Sequence, residues 1–253
     1  MLGKVAFITG SSGGIGRATA LEFAGRGSDI VLQYRSKIAD ANELAKKIEN
    51  SGRRAIAVRI DFSNVSEAAS EVQRAVEQTI HEFGKIDALV NLAGYPAKGE
   101  WEKKFLDLTV EDFFKPLNVD LLGSFYCSRA VAPHMIARKK GVIVNISSTP
   151  ALVGHDKGLA FTVAKAAIIG LTKALASELA PHVRVNALAL GNVETTWVSE
   201  LSDDELHVAS EENLMKRFGS SQEIAKMIAF VCSDESSFLT GQTIVVDGGA
   251  VLH

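Results

Sequence analysis

A glycine-rich turn near the start of the chain has the residue types that bind phosphate groups. The apolar run Val5–Thr9 leads into the sequence GSSGGIGR, in which Gly10, Gly14 and Gly16 precede a helical pattern. Glycine permits positive φ and close approach of the backbone to a ligand. The first turn of a helix offers unpaired N–H groups and a positive dipole end to an anion. The pattern is also compatible with an ordinary tight turn. At the start of a strand–helix chain it predicts a site for the pyrophosphate of a dinucleotide.

The residues that end the second predicted strand indicate which dinucleotide binds. Sites selective for NAD carry an acidic residue about 20 positions after the glycine turn, where it accepts hydrogen bonds from the ribose. This chain has Tyr34, Arg35 and Ser36 there and no carboxylate. An arginine pairs with a 2′-phosphate through its planar fork of donors, and a serine adds a hydrogen bond. We therefore predict NADP as the cofactor, with NAD as the alternative if Arg35 is an ordinary surface arginine.

Composition narrows the class of protein. The 253 residues have a formal net charge of −3, and 47% of them are hydrophobic. A slightly negative net charge does not favour binding to nucleic acid or to an acidic membrane. Cys127 and Cys232 lie far apart, which favours buried thiols in a reducing compartment. The histidines lack the spacing of metal ligands. We expect a cytoplasmic protein without a signal peptide, a membrane span or a metal site.

Apolar, β-rich segments alternate with helical patterns along the chain. The predicted strands are Val5–Thr9, Ile30–Tyr34, Ala55–Ile60, Ala88–Asn91, Val142–Ser147, Val183–Leu188 and Thr243–Val246. The longest predicted helices are Glu67–Phe83, Asp120–Arg138 and Thr162–Leu179. Nearly continuous apolar strands joined by helices indicate a parallel, doubly wound sheet. The sequence therefore predicts one α/β domain over residues 1–253, of the Rossmann type, with seven parallel strands.

One long segment, at about 190–220, interrupts this alternation. It is polar and rich in Asp and Glu, and it follows the sixth strand. The segment should therefore lie over the carboxyl edge of the sheet, where open α/β folds bind ligands. We interpret it as a substrate lid. The alternative is a solvent-exposed loop without a functional role. Trp101, Trp197 and Phe218 could line an apolar pocket beneath it, although aromatic residues at such positions also serve as packing.

Further motifs accompany the glycine turn. They are NLAG over 91–94, Asn118, the pair Ser147-Ser148, Lys165 and VDGG over 246–249. Together they resemble the short-chain dehydrogenase/reductase family, over essentially the whole chain. The resemblance implies an oxidoreductase that exchanges a hydride between NAD or NADP and an alcohol or ketone. It also implies a homotetramer or homodimer, paired through the helices predicted at Asp120–Arg138 and Thr162–Leu179.

The resemblance assigns catalytic roles as well. Ser148 would hydrogen-bond the substrate carbonyl and Lys165 would hold the nicotinamide ribose. Asn118 would kink its helix and anchor a chain of water molecules leading to Lys165. The family has a tyrosine four residues before this lysine, whereas the chain has Phe161. A tyrosine hydroxyl has a pKa of about 10, which an adjacent ammonium lowers, and it exchanges the proton of the reaction. Loss of a positioned general acid typically costs about 10²–10⁴ in rate.

The resemblance implies a larger set of cofactor contacts, drawn from the turns at the carboxyl edge of the sheet. They are Gly10, Ser12, Gly14, Ile15, Gly16, Tyr34, Arg35, Ser36, Asp61, Phe62, Asn91, Ala93, Gly94, Lys165, Gly191, Val193 and Thr195. Asp61 and Phe62 would contact adenine, and Thr195 the nicotinamide carboxamide. The proline that the family usually has before Gly191 is Leu190 here, and we expect its absence to loosen that turn.

Two hypotheses follow. The first is an NADP-dependent oxidoreductase for a carbonyl or alcohol substrate, similar to 3-oxoacyl reductases or to sugar and alcohol dehydrogenases. Its proton would come from water, His155 or Tyr95, because Phe161 carries none. The second is a catalytically silent NADP-binding protein that acts as a sensor, scaffold or subunit, and Phe161 and Leu190 favour it. The retained serine, lysine and asparagine favour the enzyme. The sequence leaves the substrate open.

Overall fold

The strands form one parallel sheet. The computed structural model describes residues 1–97, 99–195, 198 and 202–252. The strands are β1 (Val5–Ile8), β2 (Asp29–Tyr34), β3 (Ala55–Arg59), β4 (Ala88–Asn91), β5 (Gly141–Ser148), β6 (Val183–Leu190) and β7 (Thr243–Val246). The sheet has seven strands in the order β3-β2-β1-β4-β5-β6-β7, and every neighbouring pair is parallel. The predicted fold class, a doubly wound seven-stranded parallel sheet in a single α/β domain, is confirmed.

Helices cover both faces of the sheet. They are α1 (Gly14–Gly25), α2 (Ile38–Glu49), α3 (Val65–Phe83), α4 (Val110–Pro116), α5 (Gly123–Ala137), α6 (Pro150–Val153), α7 (Leu159–Leu179), α8 (Asp203–Glu211) and α9 (Ser221–Cys232). Apolar residues of α1, α2 and α9 pack on one face of the sheet. Those of α3, α5 and α7 pack on the other. Both faces of the central strands are therefore buried, which explains their continuous apolar sequences.

The direction of winding changes at β1. The chain passes from β1 outward to β2 and β3, and then returns to β4 on the other side of β1. The connections that leave the carboxyl ends of β1 and β4 thus diverge to opposite sides, and a crevice opens between them. Open α/β sheets bind their ligands at such a point. The glycine-rich turn follows β1, so the fold places it at this crevice.

The helix predicted at Asp120–Arg138 begins differently in the structure. A π-helical segment, Leu117–Leu122, joins α4 to α5. Pro116 ends α4 and lacks the N–H group that a regular helix would use. The wider turn that follows is of a kind often found at functional sites. It determines which side chain of this segment faces the sheet.

The segment predicted as a lid contains regular structure. Helix α8 lies within it, and a reciprocal capping box between Ser202 and Glu205 starts this helix. Trp197, which we expected to line a pocket there, lies outside the described residues. The role of the segment as a lid stays a prediction. Helix α7 is the one described helix long and apolar enough to cross a membrane, but it packs on β5 and β6 as a core helix does.

Candidate active site

The glycine-rich turn has a shape that only glycine permits at two positions. Gly10 has φ +64°, and a Cβ atom on it would lie 2.9 Å from the Cα of Ala93. A Cβ atom on Gly16 would lie 2.2 Å from the carbonyl oxygen of Gly10. Helix α1 starts at Gly14, and no side chain among the described residues caps it. Its first N–H groups therefore point out of a tight turn without a side-chain acceptor, which fits a phosphate group.

Two buried polar side chains that we did not predict hold this turn in place. The Oγ1 atom of Thr9 accepts hydrogen bonds from the N–H groups of residues 92 and 93, both at 2.9 Å. The amide of Gln33 accepts from the N–H of Gly10 at 2.7 Å and donates to the carbonyl of Ile60 at 2.7 Å. Both residues are 2% exposed. Each is a polar residue in an otherwise apolar predicted strand. Because buried polar groups need hydrogen-bond partners, this pattern could have identified both residues from the sequence.

A cavity of about 530 Å³ lies beyond the ends of β2 and β3. Its lining includes the predicted Tyr34, Arg35, Ser36 and Asp61, together with Ile38, Arg59 and Ser63. Arg59 is a second arginine that the sequence analysis missed. It pairs with the carboxylate of Glu71 at 2.7 Å and keeps half of its side chain exposed. Two guanidinium groups in one cavity, with two serine hydroxyls, are suited to a phosphate monoester.

The acidic member of this cavity stays ionised. Burial raises the pKa of Asp61, but hydrogen bonds from Ser63 and the charges of Arg35 and Arg59 outweigh it, so the pKa lies below its usual range. The neighbouring Phe62 is 5% exposed and belongs to the core. The Phe62 side chain is thus packed in the core, so the predicted contact with adenine would have to be made by the backbone of this residue.

The structure brings Asp120, a residue that the sequence analysis missed, to Lys165, while the role expected for Asn118 stays a prediction. The Nζ atom of Lys165 lies 2.6 Å from Oδ1 of Asp120, and the two side chains are 9% and 1% exposed. Asn118 is half-buried in the same π-helical segment. Asp120 lies two residues further along this segment, and it is the residue that contacts α7 through Lys165. The signal was a lone carboxylate amid Leu117, Val119, Leu121 and Leu122.

Further contacts fix both members of this pair. Lys165 also donates to the carbonyl oxygen of Ile146 at 3.1 Å. The second carboxylate oxygen of Asp120 accepts from the N–H of Tyr95 at 2.8 Å. A Cβ atom on Gly94 would lie 3.4 Å from Asp120 and 3.9 Å from Lys165. The pair therefore sits directly behind the predicted cofactor turn at residues 91–94.

Ser148 and the turn after β6 are joined. The Ser148 hydroxyl donates to the carbonyl of Leu190 at 3.1 Å, and the N–H of Thr149 donates to the same oxygen at 3.0 Å. The N–H of Gly191 donates to Val246 at 3.1 Å. Three hydrogen bonds thus hold the end of β6 and the start of the turn, and the loosening that we expected from Leu190 stays a prediction. Ser148 must leave the Leu190 carbonyl to donate to a substrate.

Three other predicted cofactor residues have clear positions. The side chain of Thr195 lies beside the glycine turn, since a Cβ atom on Gly14 would be 3.5 Å from it. Asn91 is buried and donates to the side chain of Asn145 at 2.8 Å. It therefore joins β4 to β5 below the crevice. Val193 is buried and pairs with Gly219 in an isolated bridge.

Phe161 lies one helical turn before Lys165 and is surrounded by aromatic groups. Trp101 packs edge-on against it, with ring centroids 5.6 Å apart. The ammonium of Lys165 lies 5.6 Å from the centroid of the Phe161 ring. A small cleft beside the ring is lined by Tyr95, Ala97, Glu100, Pro116, Gly158, Ala160 and Phe161. The cleft therefore has one tyrosine, Tyr95, among the same lining residues as Phe161.

The two alternative proton donors, Tyr95 and His155, have different surroundings. The Tyr95 hydroxyl donates to Glu100 at 3.1 Å and shares the cleft with Phe161. The Nδ1 atom of His155 accepts from the N–H of Lys157 at 3.0 Å, and its ring packs on Trp101 with centroids 5.3 Å apart. Trp101 thus contacts both the His155 and the Phe161 ring. The arrangement favours Tyr95 over His155.

Burial raises the pKa of Tyr95, and the hydrogen bond to the Glu100 carboxylate raises it further. For Glu100, burial raises the pKa, but hydrogen bonds from Lys115 and Tyr95 outweigh it and leave the carboxyl ionised. Lys115 approaches Glu100 to 2.9 Å. Tyr95 is therefore a protonated phenol at neutral pH. It can give a proton to a developing alkoxide, but it is a poor base.

The crevice, the glycine turn and the Ser148 and Lys165 side chains define an oxidoreductase site of the dinucleotide-binding α/β class. Residues 10–251 match the family described as enoyl-(acyl carrier protein) reductase. The chain belongs to the short-chain dehydrogenase/reductase family, and the protein is an oxidoreductase of that family that uses a nicotinamide nucleotide.

Similar proteins cover almost the whole chain. A 3-oxoacyl-[acyl-carrier-protein] reductase, FabG, of Thermotoga maritima is 36% identical over 99% of this chain and 98% of that protein. An uncharacterized oxidoreductase, YohF, of Escherichia coli K12 is 36% identical over 99% of this chain and 97% of that protein. The crystal structure of gox2181 superposes with a TM-score of 0.91 at 29% identity, covering 99% of this chain and 96% of that one.

Proposed function

We propose that the protein is an NADP-dependent reductase of a carbonyl substrate, of the 3-oxoacyl thioester class. The observation that carries the cofactor choice is the cavity in which Arg35 and Arg59 stand together with Ser36 and Ser63. No carboxylate occupies positions 33–37, where an NAD site would carry one. The substrate class is supported by the similarity to proteins named 3-oxoacyl-[acyl-carrier-protein] reductase.

The chain's own residues divide the work of such a reaction. When bound, the nicotinamide supplies the hydride. The first turn of α1 binds the pyrophosphate, and the Lys165 ammonium orients the ribose. Ser148 turns from the Leu190 carbonyl to donate to the substrate oxygen. Tyr95 gives the proton that this oxygen needs, because it lines the same cleft as Phe161 and its phenol remains protonated.

Cofactor selectivity tests the first part of the proposal. Arg35→Ala and Arg59→Ala should each weaken NADPH binding by about 10-fold or more and leave NADH binding nearly unchanged, because each removes a charge-assisted hydrogen bond to the 2′-phosphate. Energy transfer from tryptophan to the bound nucleotide measures both affinities. Arg54→Ala is the matched control, since Arg54 pairs with Glu82 and does not line the cavity. Equal losses for NADH and NADPH would contradict the role of the phosphate.

Turnover tests the second part. NADPH oxidation is followed with 3-oxoacyl thioesters and with a panel of sugars, ketones and steroids. Tyr95→Phe should lower kcat by about 10²-fold or more without weakening NADPH binding. His155→Ala serves as the control and should change kcat little. If Tyr95→Phe has no effect on a measurable rate, water supplies the proton and the role of Tyr95 is wrong.

A catalytically silent nucleotide-binding protein is the second candidate. Two features of the site together favour it. Position 161 has no hydroxyl group, and the charge of Lys165 is already neutralised by Asp120. Such a protein would bind NADPH with the selectivity expected above and oxidise it with no substrate of the panel. Binding and turnover together therefore separate the two candidates.

We also propose that the protein is a homodimer or homotetramer in the cytoplasm. Exposed apolar side chains lie on both helices expected to pair, with Phe125 at 36% and Ile136 at 41% on α5 and Val163 at 39% on α7. Light scattering during size-exclusion chromatography gives the state in solution. Cys127 and Cys232 are both buried and unpaired, and burial raises the pKa of Cys232 to about 12. Inert thiols of this kind are compatible with a reducing compartment.

A further inference from the structure

The ammonium of Lys165 is already matched by a negative charge in this protein. Its Nζ atom contacts Oδ1 of Asp120 at 2.6 Å, and both side chains are almost completely buried. In low effective dielectric an ion pair at this distance cancels most of the field that either charge projects. The ammonium can still donate hydrogen bonds, but it contributes little net positive potential to its neighbours. Phe161 is one of those neighbours.

The other charged groups near position 161 do not restore a positive potential. From the loop after β4, Tyr95 and Glu100 face the cleft, and Glu100 is an anion. Lys115 of α4 lies 2.9 Å from both Glu100 and Asp112, and Lys103 pairs with Asp112 at 2.6 Å, so these two cations and two anions offset one another. From the loop before α7, His155 is separated from Phe161 by Trp101, which contacts both rings. The net charge around the ring, counted over these groups and the Asp120–Lys165 pair, is therefore close to zero.

We infer that Asp120 and Phe161 are matched to each other: Asp120 neutralises Lys165, so that a hydroxyl group placed at position 161 would not be activated unless Asp120 were changed as well. Asp120 is thus a positioning residue that sets the electrostatics of the site through Lys165. Asparagine in its place has nearly the same shape and no charge, so it would free the positive charge of Lys165, and its single amide oxygen could still accept from the Tyr95 N–H group.

Titration of a phenol at position 161 tests this inference in the protein without cofactor. The chain has three tyrosines, so the ultraviolet difference between Phe161→Tyr and the unchanged protein isolates the added group. In Phe161→Tyr the added phenol should titrate at or above the ordinary value of about 10. In Phe161→Tyr/Asp120→Asn it should titrate at least about one pH unit lower, because the ammonium then favours the phenolate.

Controls separate charge from structure. Phe161→Tyr/Glu102→Gln removes an exposed carboxylate that pairs with Lys157, and it should titrate like Phe161→Tyr. Phe161→Tyr/Asp120→Asn/Lys165→Met should lose the downward shift, because the cation is gone. If the triple or double variant does not fold, the single variant alone still decides, since a midpoint clearly below 10 overturns the inference. Equal midpoints in the single and the double variant overturn it too.

Turnover provides a second readout. NADPH oxidation by Phe161→Tyr/Asp120→Asn should exceed that of Phe161→Tyr by about tenfold or more, because both variants retain Tyr95 but only the double variant has an activated phenol at position 161. The titration uses protein without nucleotide, so its result stands apart from the proposed NADP-dependent reduction. A shifted phenol without any turnover would leave this inference intact and count against the proposed function.

Discussion

Replacing Asp120 with alanine should destabilise the protein strongly. The change leaves the Lys165 ammonium 9% exposed and without the carboxylate that contacts it at 2.6 Å. It also removes the acceptor of the Tyr95 N–H group, a hydrogen bond of 2.8 Å. Breaking a buried ion pair from one side costs about 3–5 kcal/mol. For a domain of this size, that corresponds to a decrease in Tm of about 6–20 °C.

A double-mutant cycle assigns this loss to the pair. Thermal or urea unfolding is measured for Asp120→Ala, Lys165→Met and the two combined. Each single variant leaves one buried charge without its partner, whereas the combined variant leaves none. The combined loss should therefore be clearly smaller than the sum of the single losses. Additive losses, or single losses below about 1 kcal/mol, would show that the two side chains do not form a buried ion pair.

Three further outcomes follow from the structure. Gly16→Ala should abolish NADPH binding, because its methyl carbon would lie 2.2 Å from a carbonyl oxygen of the glycine turn, whereas Gly25→Ala has open space and should bind normally. Gln33→Leu leaves a buried N–H group and a buried carbonyl unpaired, so it should lower stability by about 1–3 kcal/mol and weaken NADPH binding. Burial raises the pKa of Asp87, but hydrogen bonds, above all from Arg138, hold it below 3.8. The resulting stability is present above that pH and is lost as the pH falls through the folded-state pKa, so Arg138→Met should move acid unfolding to higher pH.

The sequence predicted those parts of the fold that follow from local pattern. β4 and β7 begin and end where we expected, because buried apolar runs bounded by polar residues define such strands. The start of α5 was wrong, since the π-helical segment Leu117–Leu122 adds a wide turn that hydrophobic periodicity does not reveal. The pairing of Asp120 with Lys165, which depends on this segment, was therefore missed.

Other parts of the site depend on contacts between distant segments. Arg59 ends β3, and only the pairing of β3 with β2 brings it beside Arg35. Thr9 supports a turn more than eighty residues away along the chain. Periodicity places such residues on a strand but does not say what lies next to them. Each was nevertheless a polar or charged residue at a position where the pattern called for an apolar one.

The charges around Phe161 also bear on the direction of the proposed reaction. Oxidation of an alcohol needs a base that is free near neutral pH, whereas reduction of a carbonyl needs only a group that can give a proton. Within the described part of the site, the Asp120 carboxylate is engaged by Lys165 and by the Tyr95 N–H group, and the raised pKa of the Tyr95 phenol keeps it protonated. The protonated phenol suits proton donation, and the engagement of the Asp120 carboxylate disfavours proton removal. They therefore support reduction, with NADPH rather than NADP⁺ as the form of the cofactor that enters the site.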